Sequence, residues 1–146
     1  MKQPNIKRTT LAYMAGFFDG EGCISLIPRT SRGNRYRVQI SISNTNEWII
    51  QWFRFNFGGS VAFEDRREEN PNWKDTWRWT ITSGRQALRF LQAISPYLIL
   101  KKPQAELAIS FQGRHSQIGK RVSSTAALLD EAERILMSQY NKRGKN

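Results

Sequence analysis

The chain has 146 residues, 39% hydrophobic and 12% aromatic, proportions that exclude disorder over most of its length and fit one domain, 1–146, with a real core. Lys plus Arg number 23 against 12 Asp plus Glu, a net charge of +11, which favours a polyanionic partner. One cysteine, Cys23, excludes an intramolecular disulfide framework and points to a reducing compartment; no run is long enough to span a bilayer, there is no signal-peptide pattern, and "MKQPNIKRTT" is too short to read as a targeting sequence.

The first element is a helix in "LAYMAGFFDGEGCISL", residues 11–26. Leu11, Met14, Ala15 and Phe18 recur at helical spacing and make one apolar face. Ala12, Gly16 and Gly20 line a second, smooth face on which another backbone could approach, so two buried sides are expected. A glycine inside a helix costs roughly 1 kcal/mol against alanine, so Gly16 asks for a packing reason. Asp19 and Glu21 sit at the C-terminal end, where the dipole disfavours negative charge by about 0.3–1 kcal/mol. No Lys or Arg lies between residues 9 and 28 to neutralise them. Gly20 and Gly22 are expected to supply a left-handed terminus. Two readings stay open: Asp19 binds backbone groups while Glu21 is solvated, or the two acids hold a divalent cation.

Next, "CISLIPRTS" and "RYRVQISIS" read as strands around the turn "RGN". In the second, Tyr36, Val38, Ile40 and Ile42 face one way and Arg35, Arg37, Gln39, Ser41 and Ser43 the other. Residues 46–57, "NEWIIQWFRFNF", read as a helix stopped by Gly58 and Gly59. "SVAFEDRR" and "DTWRWTIT" make a second strand pair, joined through the polar "EENPNWK"; Trp77, Trp79 and Ile81 alternate with Thr76, Arg78, Thr80 and Thr82. Three helices follow in "SGRQALRFLQAI", "PQAELAISF" and "STAALLDEAERILMSQYNKR", with no internal repeat or low-complexity linker. This order predicts an α+β fold whose antiparallel sheet is covered on one face.

The uncovered face is polar. Between residues 25 and 43 there are four arginines and no acids, interspersed with Gln and Ser, side chains that bond phosphates and base edges. Nine strand residues extend about 30 Å, close to one turn of B-DNA at roughly 34 Å, and a two-stranded ribbon fits the major groove. A solvated sheet face is the plain alternative. The deep, narrow major groove of duplex RNA would resist such a ribbon without excluding RNA. Alternation selects Ser25, Ile27, Arg29, Ser31, Arg35, Arg37, Gln39, Ser41 and Ser43 from the first hairpin, with Arg66, Arg78 and Thr80 from the second, as DNA-facing.

"MAGFFDGEG", residues 14–22, resembles the LAGLIDADG motif of homing endonucleases, and the order of elements is similar across nearly the whole chain. "SNTNEW", 43–48, and "PYLILKKPQAEL", 96–107, resemble stretches of single-motif members. The resemblance implies the family fold, an α-β-β-α-β-β-α core with a DNA-binding antiparallel sheet and additional C-terminal helices. It implies a metal-dependent endonuclease that cuts both strands of a long pseudo-palindromic double-stranded DNA site, intron-encoded, in an organelle or a prokaryotic cytoplasm. One motif copy implies a homodimer, with Ala12, Gly16, Asp19 and Gly20 at the contact.

Carried over residue by residue, the resemblance makes Glu21 the metal-binding acid, with the Gly20 carbonyl as a further ligand, and Asp19 the mainly structural first acid. Glu21 stands where Asp is commoner, which changes its reach. Magnesium, or manganese, is the implied cofactor. Lys101 in "LILKK" matches a lysine near the catalytic water, and otherwise reads as a solvated lysine beside a helix. Asn46 matches a solvent-orienting position and equally suits a helix N-cap. A basic residue usual one turn into that helix is replaced by Ile49 and Ile50. His- and Cys-based metal nucleases fit poorly, because His115 and Cys23 stand alone, and an acid-x-Lys motif occurs nowhere. His115, beside Arg114, reads as a surface or phosphate-contacting residue. An RNA maturase binding intron RNA, or a non-cleaving DNA-binding protein, is the alternative on the same scaffold.

Overall fold

Period-two alternation in the strands becomes the two faces of one sheet. The computed structural model describes residues 5–29, 35–117 and 124–142, so the expectation for Ser31 lies outside the described residues. The elements are α1 (Arg8–Glu21), β1 (Gly22–Pro28), β2 (Tyr36–Asn44), α2 (Glu47–Phe57), β3 (Ser60–Glu64), β4 (Thr76–Ile81), α3 (Gly84–Ile94), a single 3-10 turn (Ser95–Tyr97), α4 (Lys102–Gln117) and α5 (Ser124–Lys142). The four strands are antiparallel in the order β1-β2-β4-β3.

The covered face carries Ile24, Leu26, Val38, Ile40, Ile42, Trp79 and Ile81, all buried beneath helices. Met14, Ala15 and Phe18 of α1, Phe53 of α2 and Phe90 of α3 close over them. Phe90 centres the aromatic core: Phe18, Phe57 and Trp79 present rings edge-on to it at 5.3, 4.9 and 5.1 Å. Edge-to-face pairs of this kind contribute about 0.5–1.5 kcal/mol each beyond area burial. Thus, among the described residues, these helices anchor the sheet from the face that carries its buried side chains.

Turn chemistry fixes the sheet's limits. Gly58 and Gly59 take φ of 76° and 85°, which ends α2 and redirects the chain into β3. A Cβ on Gly59 would stand 2.5 Å from the Thr80 carbonyl oxygen, and Trp79 Nε1 donates to the Gly58 carbonyl at 2.7 Å, so this turn is packed as well as bent. Asn46 caps α2, its side-chain oxygen accepting from the Ile49 N–H at 3.1 Å.

The end of α1 departs from the expected left-handed terminus. Gly22 has φ −86°, and Gly58 and Gly59 hold the positive φ values among the described residues. Gly22 is needed for space instead: a Cβ there would lie 2.2 Å from Phe18 Cδ2, inside the ring that α1 buries in the core. One side of α1 is buried in this chain. On the other, Ala12, Gly16 and Gly20 are exposed, and a Cβ on either glycine would meet no atom within 4 Å.

α5 is braced onto the sheet by polar contacts. Asn141 Nδ2 donates to the Ile24 carbonyl of edge strand β1 at 2.9 Å, and the Tyr36 hydroxyl donates to Glu131. Arg134 and Tyr36 both donate to Glu131, in that order of effect, and hold its carboxyl down at about 2; bonding to that carboxylate pushes the Tyr36 phenol up. Between α4 and α5, fully buried Asp130 accepts from Arg114 at 2.7 Å and lies 3.0 Å from His115 Nε2. His115 also stacks on Phe111 with centroids 4.2 Å apart. The reading of His115 as a surface or phosphate-contacting residue is therefore corrected: it is an internal tie between two helices.

Candidate active site and nucleic-acid interface

The acids at the tip of α1 are held differently from each other. Asp19 is 9% exposed, and its Oδ2 and Oδ1 accept from the backbone N–H groups of Ile99 and Lys101 at 2.8 and 2.9 Å. Sequence groups Asp19 with a contact face between copies; its carboxylate is committed inside this chain. Lys101 Nζ returns to the Asp19 carbonyl at 2.6 Å. That carbonyl is one of the last-turn groups a helix leaves unpaired, and the ammonium is the charge its dipole favours. The cation missing near the acids in sequence arrives from a segment 82 residues away.

Glu21 has no such commitment. It is exposed, and among the described residues it has no hydrogen-bond or ion-pair partner. The chain passes from Glu21 directly into β1, so the carboxylate stands at the margin of the sheet. Gly20 precedes it, also exposed. A carboxylate and a carbonyl are hard oxygen donors suited to magnesium, which requires six ligands and retains several waters. Among the described residues no group of three or more His, Cys, Asp or Glu could hold a metal. The chemistry of these donors fits an oxygen-ligated divalent cation shared with other ligands.

Asn46 is exposed at the start of α2, its side-chain oxygen engaged by the Ile49 N–H. Ile49 and Ile50 are both buried, so their positions serve the core and offer no surface charge.

The polar face has the register that alternation predicts. Ser25 pairs with Gln39 and Ile27 with Arg37 across β1 and β2; Ser41 pairs with Thr80 and Ser43 with Arg78 across β2 and β4. All eight therefore share one face, opposite the buried Val38, Ile40 and Trp79. Arg29 continues the first hairpin beyond β1, its N–H donating to the Arg35 carbonyl at 2.9 Å. Arg37 is half-buried, with a shielded Nε that lacks a hydrogen-bond partner among the described residues.

Arg66 lies beyond the strand, in a concavity that it lines with Ser43, Glu64 and Arg78 of the polar face. β3 ends at Glu64, and the Arg66 guanidinium covers the Trp73 ring at 4.8 Å in the β3–β4 connection. Its place on a strand is thus corrected: Asp75 accepts from the Arg66 N–H at 3.2 Å and turns the chain before Arg66 can extend the ladder. The same register brings further residues to the polar face. Ser60, Ala62 and Glu64 pair with Thr80, Arg78 and Thr76, and Cys23 pairs with Ser41. Alternation in "SVAFE" carried that signal. Thr76 is buried on this face, its hydroxyl donating to Glu64 at 3.2 Å.

A family profile described as "LAGLIDADG-like domain" matches residues 8–95. A search of curated proteins returns no match. Among solved structures, the chain is similar to the homing endonuclease I-CvuI in complex with the I-CreI target in the presence of 2 mM Mg, at 20% identity over 91% of this chain and 82% of that one, TM-score 0.70. It is similar to the archaeal intron-encoded homing endonuclease I-Vdi141I complexed with DNA, at 16% identity over 90% and 84%, TM-score 0.73. Against the LAGLIDADG homing endonuclease I-GzeII in complex with its DNA target, the values are 18%, 87% and 43%, TM-score 0.64. At these identities the likeness is one of fold.

Proposed function

Because the chain belongs to the LAGLIDADG-like domain family, we propose that it is an intron-encoded homing endonuclease that binds a long pseudo-palindromic DNA site and hydrolyses both strands with a divalent metal. The observation that carries this reading is the tip of α1, where Glu21, a carboxylate without a partner among the described residues, is presented beside the clamp of buried Asp19 with half-buried Lys101. A basic surface supports DNA as the polyanion, and a polar sheet face about one DNA turn long supports groove binding.

Each residue then has a task. Asp19 fixes the position of the tip. Glu21 and the Gly20 carbonyl would hold magnesium or manganese, which when bound would supply charge stabilisation to phosphodiester hydrolysis. The Lys101 ammonium, held at the same tip, opposes negative charge on the phosphate, and the Asn46 amide orients solvent. Arg, Gln and Ser side chains of the sheet contact phosphates and base edges.

The acting unit in this reading is a homodimer. The open Ala12, Gly16 and Gly20 face would pair with itself across a two-fold axis and bring two Glu21 side chains together. Ile99 and Leu100, 81% and 71% exposed beside the tip, add apolar surface to that contact. Two sheets would then cover on the order of 20 base pairs, in mirrored half-sites.

The decisive experiment is Glu21→Gln, assayed for magnesium-dependent cleavage and for DNA affinity in one preparation. Cleavage should be lost and affinity largely kept. Full-rate cleavage by the variant would overturn the assignment; specific binding without cleavage by the native chain would make it a non-cleaving DNA-binding protein.

A further inference from the structure

Among the residues of the four strands, one acid, Glu64, stands on the face through which this protein is read to contact DNA, with Asp65 and Glu69 of the β3–β4 connection beside it. Glu64 ends β3 and shares that face with Arg78 and Ser43, because Ala62 pairs with Arg78, Ser43 with Arg78, and Glu64 with Thr76. A carboxylate there repels phosphates, so it needs a role other than affinity. Its two oxygens are both engaged: one accepts from the Arg78 Nε at 2.5 Å, the other from the Thr76 hydroxyl at 3.2 Å. Thr76 is buried, so the carboxylate is anchored from below and Arg78 is anchored by the carboxylate.

The atom that Arg78 uses matters. Donation from Nε leaves the outer edge of the guanidinium, with its two terminal nitrogens, without a partner among the described residues. That edge has the spacing to donate to O6 and N7 of a guanine, the commonest specific contact in the major groove. An unheld arginine on a flexible stem reaches phosphate as readily as base, and contact with phosphate carries no sequence information. The Arg78 side chain is 47% exposed and that of Glu64 32%, so the reader projects past its support.

We propose, on the reading of this sheet face as the DNA-contacting surface, that Glu64 is a positioning residue: it orients Arg78 to read the guanine of one G·C pair in each half-site. The ion pair thus exchanges some general affinity for discrimination at a single position.

The test is binding selection from a randomised duplex library, with the bound fraction sequenced, for the native chain and for Arg78→Ala, Glu64→Ala and Glu64→Gln. Arg78→Ala should erase a G preference at one position per half-site. Glu64→Ala should weaken the same preference by about tenfold, the scale of one bidentate contact. It should also raise affinity for non-specific DNA and steepen its salt dependence by about one ion, as the released arginine finds phosphate. Glu64→Gln retains an acceptor for Nε and should keep the preference within about twofold, well inside the range of such a contact. A purely structural Glu64 would move none of these readouts at that one position. Glu64→Thr, a strand-favouring residue too short to reach Arg78, carries the same test if the alanine variant unfolds. The proposal is overturned if Arg78→Ala relaxes one position while removal of Glu64 leaves that position unchanged. If Arg78→Ala changes no preference at all, the DNA-reading role of this part of the sheet fails with it.

Discussion

Lys101 and Asp19 hold each other twice: the Lys101 N–H donates to the Asp19 carboxylate at 2.9 Å and the Lys101 ammonium donates to the Asp19 carbonyl at 2.6 Å. The lysine is therefore both a part of the tip and a charge placed at it. Lys101→Met keeps the backbone bond and removes the charge, so cleavage should slow by about 100-fold, the scale of one electrostatic stabiliser, with DNA affinity little changed. Single-turnover cleavage beside a binding titration separates the two. Equal losses in both would place Lys101 in DNA binding alone.

Asp19→Ala leaves two part-buried backbone donors, on Ile99 and Lys101, without their acceptor. A loss of about 2–4 kcal/mol is expected from two charge-assisted bonds of this type. Urea unfolding followed by tryptophan fluorescence measures it. A loss below about 1 kcal/mol, the scale of one ordinary hydrogen bond, would mean that the tip holds without the clamp.

The glycines of α1 should respond oppositely. Gly22→Ala drives a methyl into the buried Phe18 ring and should cost about 1–3 kcal/mol, the scale of overpacking. Gly16→Ala meets open space and removes a helix-interior glycine, so the isolated chain should gain up to about 1 kcal/mol. Gly16→Leu should weaken self-association in sedimentation, and cleavage with it, while circular dichroism stays native. Unaltered association of that variant would move the dimer contact off this helix.

Acid should loosen α5 through Glu131. Its carboxyl is held down to about 2 from an ordinary 4.5, so the stabilisation is complete above about 4.5 and is lost as pH falls toward 2. The Tyr36 phenol, shifted upward by the same bond, contributes below 10 and loses that contribution as pH rises. Urea midpoints of the native chain and Glu131→Gln should differ at pH 6 and converge near pH 2. A difference independent of pH would show that the pair does not titrate as a unit.

The parts of this fold that sequence revealed are those governed by local periodicity. Val38, Ile40 and Ile42 against Arg37, Gln39 and Ser41 define β2 and its two faces without knowledge of any partner strand. Asn46 stands at the start of α2 and caps it, as cap chemistry requires. What escaped depends on distant segments. Gly22 was legible as a necessary glycine, but its reason is the Phe18 ring, not backbone conformation. His115 looks exposed until Asp130 is brought across from another helix. Glu64 becomes an arginine's anchor only once β3 and β4 are in register.

The Asp19 clamp also sets an order of events in synthesis. α1 and the first hairpin emerge early, yet the partners that complete the tip are Ile99 and Lys101, up to 82 residues later. At about 5–20 residues per second the interval is roughly 4–16 s. Through that time a nascent chain displays Glu21 on a helix end with an unsatisfied terminal carbonyl and an unanchored acid. Completion of the α1 tip is thereby coupled to the arrival of residues 99–101, and an interrupted translation product keeps the motif while lacking its lock.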